Sequence, residues 1–138
     1  MKITGVELDA VHVNHRGDWV FIHVFTDEGI QGLGELRAGK NYTDRVAAVR
    51  QLGDQLIGEN PLEIEPIFSK YKSSAQTNIY ALSAIDQALW DILGKSLNAP
   101  IHVLLGGSCQ EKIRLYANIN RATTDRTPEG FAKNALAA

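Results

Sequence analysis

The fold class of this chain is decided by the stretch Ala81-Leu-Ser-Ala-Ile-Asp-Gln-Ala-Leu-Trp-Asp-Ile-Leu-Gly-Lys95. Its large apolar residues recur every three or four positions, which is the spacing of a helix with one buried stripe. Three alanines and a tryptophan widen that stripe, so we expect the helix, predicted over residues 79–97, to be covered on more than one side. The predicted stripe is Leu82, Ile85, Leu89, Ile92 and Leu93, widened by Ala81, Ala84, Ala88 and Trp90.

Three predicted strands precede this helix. Residues 2–13 alternate between apolar and acidic side chains, residues 19–26 are rich in aromatic and β-branched types, and residues 30–36 follow a glycine turn. The short links between them predict an antiparallel meander. Two further helical segments have apolar stripes over 46–56 and 64–71. The predicted fold class is therefore α+β, with a three-stranded antiparallel meander followed by a helical bundle.

The end of the sequence shows a different pattern. Ile113–Ile119 is predicted to be one more strand, and Thr127-Pro128 is a strong helix start, with threonine as N-cap and proline at the first helical position. The helix predicted over 127–138 would end without a capping residue, and the strand has no evident partner. Because a complete domain seldom ends in this way, we expect the chain to be cut at Ala138.

Composition excludes several classes of protein. A length of 138 residues fits one ordinary domain, and a net charge of −2 gives no basic footprint for nucleic acid or an anionic membrane. No apolar run approaches the roughly 20 residues of a membrane-spanning helix. The single cysteine, Cys109, excludes an internal disulfide. With no secretory signal at Met1, we expect a cytoplasmic protein that binds neither nucleic acid nor membrane.

Several motifs together resemble the mandelate racemase/muconate lactonizing branch of the enolase superfamily. They occur in the order of that family and cover essentially the whole chain. The motifs are residues 81–95, Leu97-Asn-Ala-Pro-Ile101, Leu104-Leu-Gly-Gly107, Thr26-Asp-Glu-Gly29, Gly32-Leu-Gly-Glu35 and Leu56-Ile-Gly-Glu-Asn-Pro61.

The resemblance implies an α+β capping domain, residues 1–112, followed by the first strand and part of the first helix of a truncated (β/α)7β barrel, residues 113–138. In this family the barrel binds Mg²⁺ through three acidic ligands and uses Lys or His bases to remove a proton α to a carboxylate. By this resemblance the bases and metal ligands lie beyond Ala138. We therefore expect no catalytic residue and no metal ligand within these residues, and the 138-residue chain alone is expected to be inactive.

The same resemblance implies that two loops select the substrate. By position they are Asn14–Trp19, after the first strand, and Leu36–Tyr42, after the third. Their side chains include donors suited to carboxylate and hydroxyl groups, although loops are polar in most proteins. The residues predicted to bind substrate are His15, Arg16, Asp18, Trp19, Arg37, Lys40 and Tyr42, with Asn41 as a further candidate.

Two asparagines are candidates on the predicted barrel strand. Tyr116, Asn118 and Asn120 share one face of that strand. Active sites of such barrels lie at the C-terminal ends of the strands, so Asn118 and Asn120 would reach the substrate if this face points inward. A buried asparagine bonded to a neighbouring strand or loop is an equally good interpretation.

Other polar residues have structural interpretations. Lys70-Tyr71-Lys72 has the spelling of the family's Lys-x-Lys motif, but it lies in a predicted helix, where side chains two residues apart diverge, so surface lysines are expected. Asp86 and Asp91 are too far apart around their helix to share an ion, and in the family's motif they help the helix to dock to the barrel. The glycines before Glu35 allow close backbone approach. No metal-binding role is expected for His12, His15 or His23, and no nucleophilic role is expected for Cys109.

We therefore predict the N-terminal part of a Mg²⁺-dependent enolase-superfamily enzyme, a homo-oligomer when full length, that abstracts a proton α to a carboxylate. The polar and cationic loops favour an acid-sugar dehydratase. A racemase or cycloisomerase of the same family remains an alternative, because barrel residues decide the outcome. A non-catalytic α+β module that binds a partner or oligomerises is the alternative if the chain really ends at Ala138.

Overall fold

A computed structural model of the chain describes residues 1–14, 17–37, 39, 42–73 and 78–137. The described residues form two compact units, Met1–Gly107 and Ser108–Ala138. The division into a capping domain, residues 1–112, and a barrel segment, residues 113–138, stays a prediction, because compactness alone does not identify parts that fold independently.

The first unit opens with the predicted antiparallel meander, in the order β1-β2-β3. The strands are β1 (Ile3–Asn14), β2 (Gly17–Thr26) and β3 (Gln31–Leu36). The pairing of β1 with β2 continues to Asn14 opposite Gly17. β2 therefore begins within the predicted loop 14–18, and Asp18 lies in the strand rather than in a loop. Trp19 also lies in β2, which agrees with the predicted strand 19–26 but not with its place in the predicted substrate loop Asn14–Trp19.

Helices follow the sheet, as predicted. In the first unit they are α1 (Thr43–Leu56), α2 (Ile64–Lys72), α3 (Ile79–Ser96) and α4 (Ile101–Leu104). The Asn78 side chain caps α3 by accepting hydrogen bonds from the N–H groups of Tyr80 and Ala81 at 3.0 and 3.3 Å. In the part of the chain that the structure describes, no helix has the length and apolar character needed to cross a membrane.

Helix α3 supplies the centre of the core. Four of the five predicted stripe residues are at most 1% exposed, and Leu93 is partly buried against them. The widening alanines are fully buried, which confirms that α3 is covered on more than one side. Alternate residues of β2 face the same core, as in a half-buried strand. The fully buried residues of these two elements are Val20, Ile22, Val24, Leu82, Ile85, Leu89 and Ile92, with Ala81, Ala84 and Ala88.

The backbones of α3 and β3 are in close contact. A Cβ atom on Gly32 would lie 2.1 Å from the carbonyl oxygen of Ala88, and one on Gly34 would lie 2.0 Å from that of Ala84. Non-bonded atoms do not approach so closely, so only glycine fits at these two positions of the strand. The close backbone approach predicted from the glycines before Glu35 is confirmed.

Side chains of α3 also cover the outer edge of β3. Asp91 Oδ2 accepts a hydrogen bond from the N–H of Leu33 at 2.8 Å, and Gln87 Oε1 accepts one from the N–H of Glu35 at 3.2 Å. Lys95 Nζ donates to a carbonyl oxygen of β3 and to Asp91, both at 2.7 Å. These helix residues are spaced by four and share one face. An uncovered edge strand is a template for aggregation, and these side chains cover the edge of β3. Asp91 therefore has a structural role, as predicted, although its partner here is β3.

The second unit differs from the prediction. Residues 113–118 have no regular secondary structure, and the short helix α5 (Ile119–Ala122) begins where the predicted strand Ile113–Ile119 would end. The predicted barrel strand is wrong here because strand N–H and C=O groups need neighbouring strands, and the described part of this unit contains none. The predicted helix is confirmed as α6 (Pro128–Ala137), where Thr127 Oγ1 accepts from the N–H of Gly130 at 3.1 Å.

Replacing Gly34 with alanine tests the contact between α3 and β3. The added methyl group must push the helix away, so we expect the free energy of unfolding to fall by about 3 kcal/mol, the upper end of ordinary overpacking costs. Gly5→Ala is the matched control, because its Cβ would lie 3.7 Å from the Phe25 ring, and it should cost less than about 1 kcal/mol. Urea unfolding measures both. Equal losses in the two variants would show that the contact does not limit stability.

Amide exchange tests the description of residues 113–118. The side chains of Ile113, Leu115 and Tyr116 are 80%, 93% and 82% exposed, and a segment with so little burial opens at almost no cost. We expect these amides to exchange at least a thousandfold faster than the central amides of α3, measured by mass spectrometry on the 138-residue chain. Protection equal to that of α3 would contradict the structure of this segment.

Candidate functional site

The two loops predicted to select substrate adjoin the same end of the sheet. β1 ends at Asn14, which is paired with Gly17 at the start of β2, and β3 ends at Leu36. Because β2 and β3 are antiparallel, the start of β2 and the end of β3 are neighbours. The structure brings Asp18 and Tyr42 together at this end, which we call the rim. Four further residues predicted in the two loops lie outside the described part of the chain: His15, Arg16, Lys40 and Asn41.

Asp18 is hydrogen-bonded through both carboxylate oxygens. Its Oδ2 accepts from the Tyr42 hydroxyl at 2.6 Å, and its Oδ1 lies 2.9 Å from Nδ1 of His12. The bond from Tyr42, followed by that from His12, lowers the pKa of the Asp18 carboxyl below its usual value. The stability that this carboxylate contributes is present above its unfolded pKa of about 3.9 and is lost as pH falls through the lower folded pKa. At neutral pH Asp18 is therefore an ionised acceptor with both oxygens engaged.

Tyr42 connects the rim to the helices. Its side chain is partly buried against the core, and its backbone carbonyl accepts a hydrogen bond from Val46 in the first turn of α1 at 2.9 Å. The hydrogen bond to Asp18 raises the pKa of the Tyr42 phenol, because ionising the phenol would place two negative charges side by side. The Tyr42 hydroxyl thus donates to a protein group.

Trp19 points to the other side of the sheet. Side chains alternate along β2, so Trp19 lies on the face away from the helices, whereas Asp18 lies on the helical side. The Trp19 ring is 56% exposed and meets the Phe21 ring edge to face, with 6.3 Å between centroids. On the same face the His23 and Phe25 rings stack at 6.4 Å. Asp18 and Trp19 are adjacent in the sequence, but their side chains therefore lie on opposite faces of the sheet.

Arg37 follows β3 directly, and its side chain is exposed. Its backbone carbonyl accepts a hydrogen bond from the guanidinium of Arg45 in α1. The Arg45 guanidinium in turn stacks on the Tyr80 ring of α3, 3.8 Å from the centroid. These contacts fix the backbone after β3 and leave the Arg37 guanidinium exposed at the rim.

Asn118 and Asn120 lie in the second unit, and neither is on a strand. Asn118 Oδ1 caps α5 by accepting from the N–H of Arg121 at 3.1 Å. Asn120 Oδ1 accepts from the guanidinium of Arg126 at 2.9 Å. Both are exposed and both use their side-chain oxygen locally, so the shared strand face expected from the sequence is absent from this structure.

The remaining candidates occupy structural positions. Lys70 forms an ion pair with Glu59 at 2.6 Å, and the Lys72 ammonium lies 5.5 Å from the centroid of the Phe68 ring. Both are surface lysines, as predicted. His23 Nε2 lies 3.0 Å from a carboxylate oxygen of Asp9. Within the ranges that the structure describes, no three His, Cys, Asp or Glu side chains are grouped so that they could hold a metal ion.

His12 is part of the rim, although it was not predicted from the sequence as a site residue. The hairpin register places His12 directly opposite Asp18, and their side chains are bonded. If both predicted strands are lengthened and the link between them is shortened, His12 and Asp18 become opposite residues of the hairpin. Opposite residues of a hairpin project to the same face, so this pairing could have been predicted.

A groove of about 510 Å³ lies on the outer side of α3. Its walls combine carboxylates with large apolar side chains. Burial, followed by the charge of Glu65, raises the pKa of the Asp86 carboxyl in this groove above its usual value. The lining residues are Leu33, Asp86, Gln87, Trp90, Asp91, Ile101 and Leu105. Leu33, Gln87 and Asp91 in this lining also make the hydrogen bonds between α3 and β3. These side chains therefore have a structural role in the first unit.

Comparison with known proteins extends this description. A D-galactonate dehydratase from Klebsiella pneumoniae (strain 342) is 42% identical over 104 residues, which cover 72% of this chain and 27% of that protein. A D-galactonate dehydratase from Variovorax paradoxus (strain S110) is 37% identical over 125 residues, which cover 85% of this chain and 31% of that protein. This chain thus spans about a third or less of the length of these curated relatives.

Solved structures agree with the fold. A crystal structure of a member of the enolase superfamily from Salmonella Typhimurium has a TM-score of 0.82 at 32% identity, and the match covers 99% of this chain and 39% of that chain. Residues 5–106 match the family described as mandelate racemase / muconate lactonizing enzyme, N-terminal domain. With its three-stranded antiparallel sheet and the helices that follow, this chain belongs to the mandelate racemase / muconate lactonizing enzyme family of the enolase superfamily and contains the N-terminal domain of that family.

Proposed function

We propose that this chain is the substrate-selecting capping part of a longer, Mg²⁺-dependent enzyme that dehydrates acid sugars. The observation that carries the proposal is the 2.6 Å hydrogen bond between Asp18 and Tyr42, which joins the bases of two loops that carry donors for oxyanions. The reaction and the substrate class are supported by the two D-galactonate dehydratases, at 42% and 37% identity.

The proposed reaction removes the proton from the carbon α to the carboxylate and expels the β-hydroxyl group as water. The resulting enol takes up a proton at the β carbon and becomes a 2-oxo acid, so neither an oxidant nor a reductant is consumed. Mg²⁺, when bound, would stabilise negative charge that develops on the carboxylate. The described residues offer it no site, and we propose that its ligands and the catalytic bases lie beyond residue 138.

The residues of this chain are proposed to bind and orient the substrate and to exclude water. An acid sugar presents one carboxylate and several hydroxyl groups, and the exposed guanidinium of Arg37 at the rim is suited to either. His15, Arg16 and Lys40 carry donors of the same kind on the adjoining segments. Asn118 and Asn120 remain candidates for substrate binding in the longer enzyme.

An assay with a panel of sugar acids tests the proposed function. We expect the full-length enzyme with Mg²⁺ to convert at least one aldonate, with D-galactonate the first to be tested, into a 2-oxo acid that lacks one water, detected as its semicarbazone. The 138-residue chain alone should show no turnover. Exchange of the α proton with solvent, or inversion at that carbon, without any loss of water across the panel would contradict dehydration.

Replacing Arg37 with alanine tests the role of the rim in binding. We expect kcat/KM for the preferred sugar acid to fall about 10- to 100-fold, since a charge-assisted hydrogen bond contributes roughly 1.5–3 kcal/mol. Exchange of the α proton at saturating substrate should stay within about threefold of wild type. Arg50→Ala is the control, because Arg50 is an exposed arginine on α1 away from the rim. Equal effects of the two substitutions would remove Arg37 from the site.

A further inference from the structure

We infer that Asp18 is a positioning residue that fastens Tyr42, and with it the bases of the two substrate-selecting loops, rather than a group that bonds the substrate. This inference rests on the proposed function and deepens it, since it assigns to Asp18 and Tyr42 a role other than the substrate contact expected from the sequence. We call the bond between the two side chains the clamp.

Both carboxylate oxygens of Asp18 already accept hydrogen bonds within the protein. Its two oxygens are taken by Tyr42 at 2.6 Å and by His12 at 2.9 Å. The Tyr42 bond has the length of a charge-assisted O–H···O⁻ bond, which is stronger than a bond between neutral groups. The Asp18 side chain is only 27% exposed. A substrate hydroxyl would therefore have to displace one of two bonds that are already made.

The negative charge of Asp18 also disfavours a direct contact with an acid sugar. An ionised carboxylate that projected freely into a site for an acid sugar would repel the carboxylate of the substrate. Donation by Tyr42 and His12 satisfies Asp18 within the protein. The lowered pKa of Asp18 and the raised pKa of Tyr42 both agree with a carboxylate that accepts from a neutral phenol.

Asp18 and Tyr42 lie at the bases of two different loops. Asp18 is the second residue of β2, directly after the turn of the first loop, and Tyr42 directly precedes α1 and ends the second loop. They are separated by 24 residues, so their bond joins two loop bases that the sequence does not connect locally. Tyr42 is anchored at its other end by the core and by Val46. Fixing loop bases before the substrate arrives lowers the ordering cost of binding.

The clamp makes a specific prediction for kinetics. Tyr42→Phe removes only the hydroxyl group, and in the full-length enzyme it should raise KM for the preferred sugar acid about tenfold while kcat changes less than about twofold. Tyr71→Phe is the matched control, because the Tyr71 hydroxyl donates to the backbone carbonyl of Gln55 at 3.1 Å, between α1 and α2. Tyr71→Phe should change stability but leave KM within about twofold of wild type.

A second measurement addresses the clamp without any substrate. Hydrogen exchange at the amides of residues 17–19 and 42–44 should speed up at least about fivefold in both Tyr42→Phe and Asp18→Asn, and not in Tyr71→Phe. This readout separates the clamp from the proposed function. If the wild-type enzyme dehydrates no sugar acid, the proposed function fails, and the exchange rates still decide whether the clamp holds the loop bases.

Several outcomes would overturn the inference. A Tyr42→Phe enzyme with wild-type KM and wild-type exchange rates shows that the bond holds nothing that binding needs. A loss of kcat at unchanged KM shows that Tyr42 acts on the reacting atoms. A rise in KM of the same size in Tyr71→Phe shows that the effect is a general loss of stability. Faster exchange at both loop bases together with a rise in KM confined to Tyr42→Phe supports the clamp.

Discussion

The packing of α3 directly on β3 is the contact on which the rest of the first unit depends. The carbonyl oxygens of Ala84 and Ala88 would lie about 2 Å from any Cβ atom at Gly34 and Gly32. This proximity allows side chains on α3 to reach the backbone of β3, where Asp91 accepts from Leu33 at 2.8 Å. One helix thus fills the core and covers the edge of the sheet, two tasks that proteins often divide between elements.

The same contact determines where the rim lies. β3 is held in register with β2 on one side and by α3 on the other, so the chain leaves the sheet at Leu36 in a defined direction. From there Arg45 holds the backbone of Arg37, and Tyr42 reaches back to Asp18. The rim is therefore built by long-range contacts between elements, and each of them requires the helical layer to lie in its place.

The sequence was sufficient for much of the fold. The stripe of α3 and the first strand followed from apolar spacing, because a period of 3.6 or of 2 reflects which residues can be buried. The second strand followed from its aromatic and β-branched residues, and the third from the glycine turn before it. The prediction of a strand at 113–119 was wrong, because alternation indicates which face of a strand would be buried but not whether a neighbouring strand exists to pair with it. Asp18 was assigned to the loop 14–18 although it is a residue of β2, so the alternation that places Asp18 and Trp19 on opposite faces of the strand was not extended to it. The Asp18–Tyr42 bond joins residues 24 apart, and no local pattern carries such a contact.

The central claim is that the rim selects a hydroxylated acid and that the bond between Asp18 and Tyr42 holds the rim together. A double-mutant cycle on specificity tests both parts in the full-length enzyme. The quantity is the ratio of kcat/KM for the preferred sugar acid to that for its epimer at a carbon remote from the reaction, in wild type, Asp18→Asn, Tyr42→Phe and the double variant. We predict that each single substitution lowers this ratio and that the double variant is no worse than the more impaired single one, a coupling of about 1 kcal/mol or more. Ratios that stay at the wild-type value, or single effects that simply add, would contradict the account.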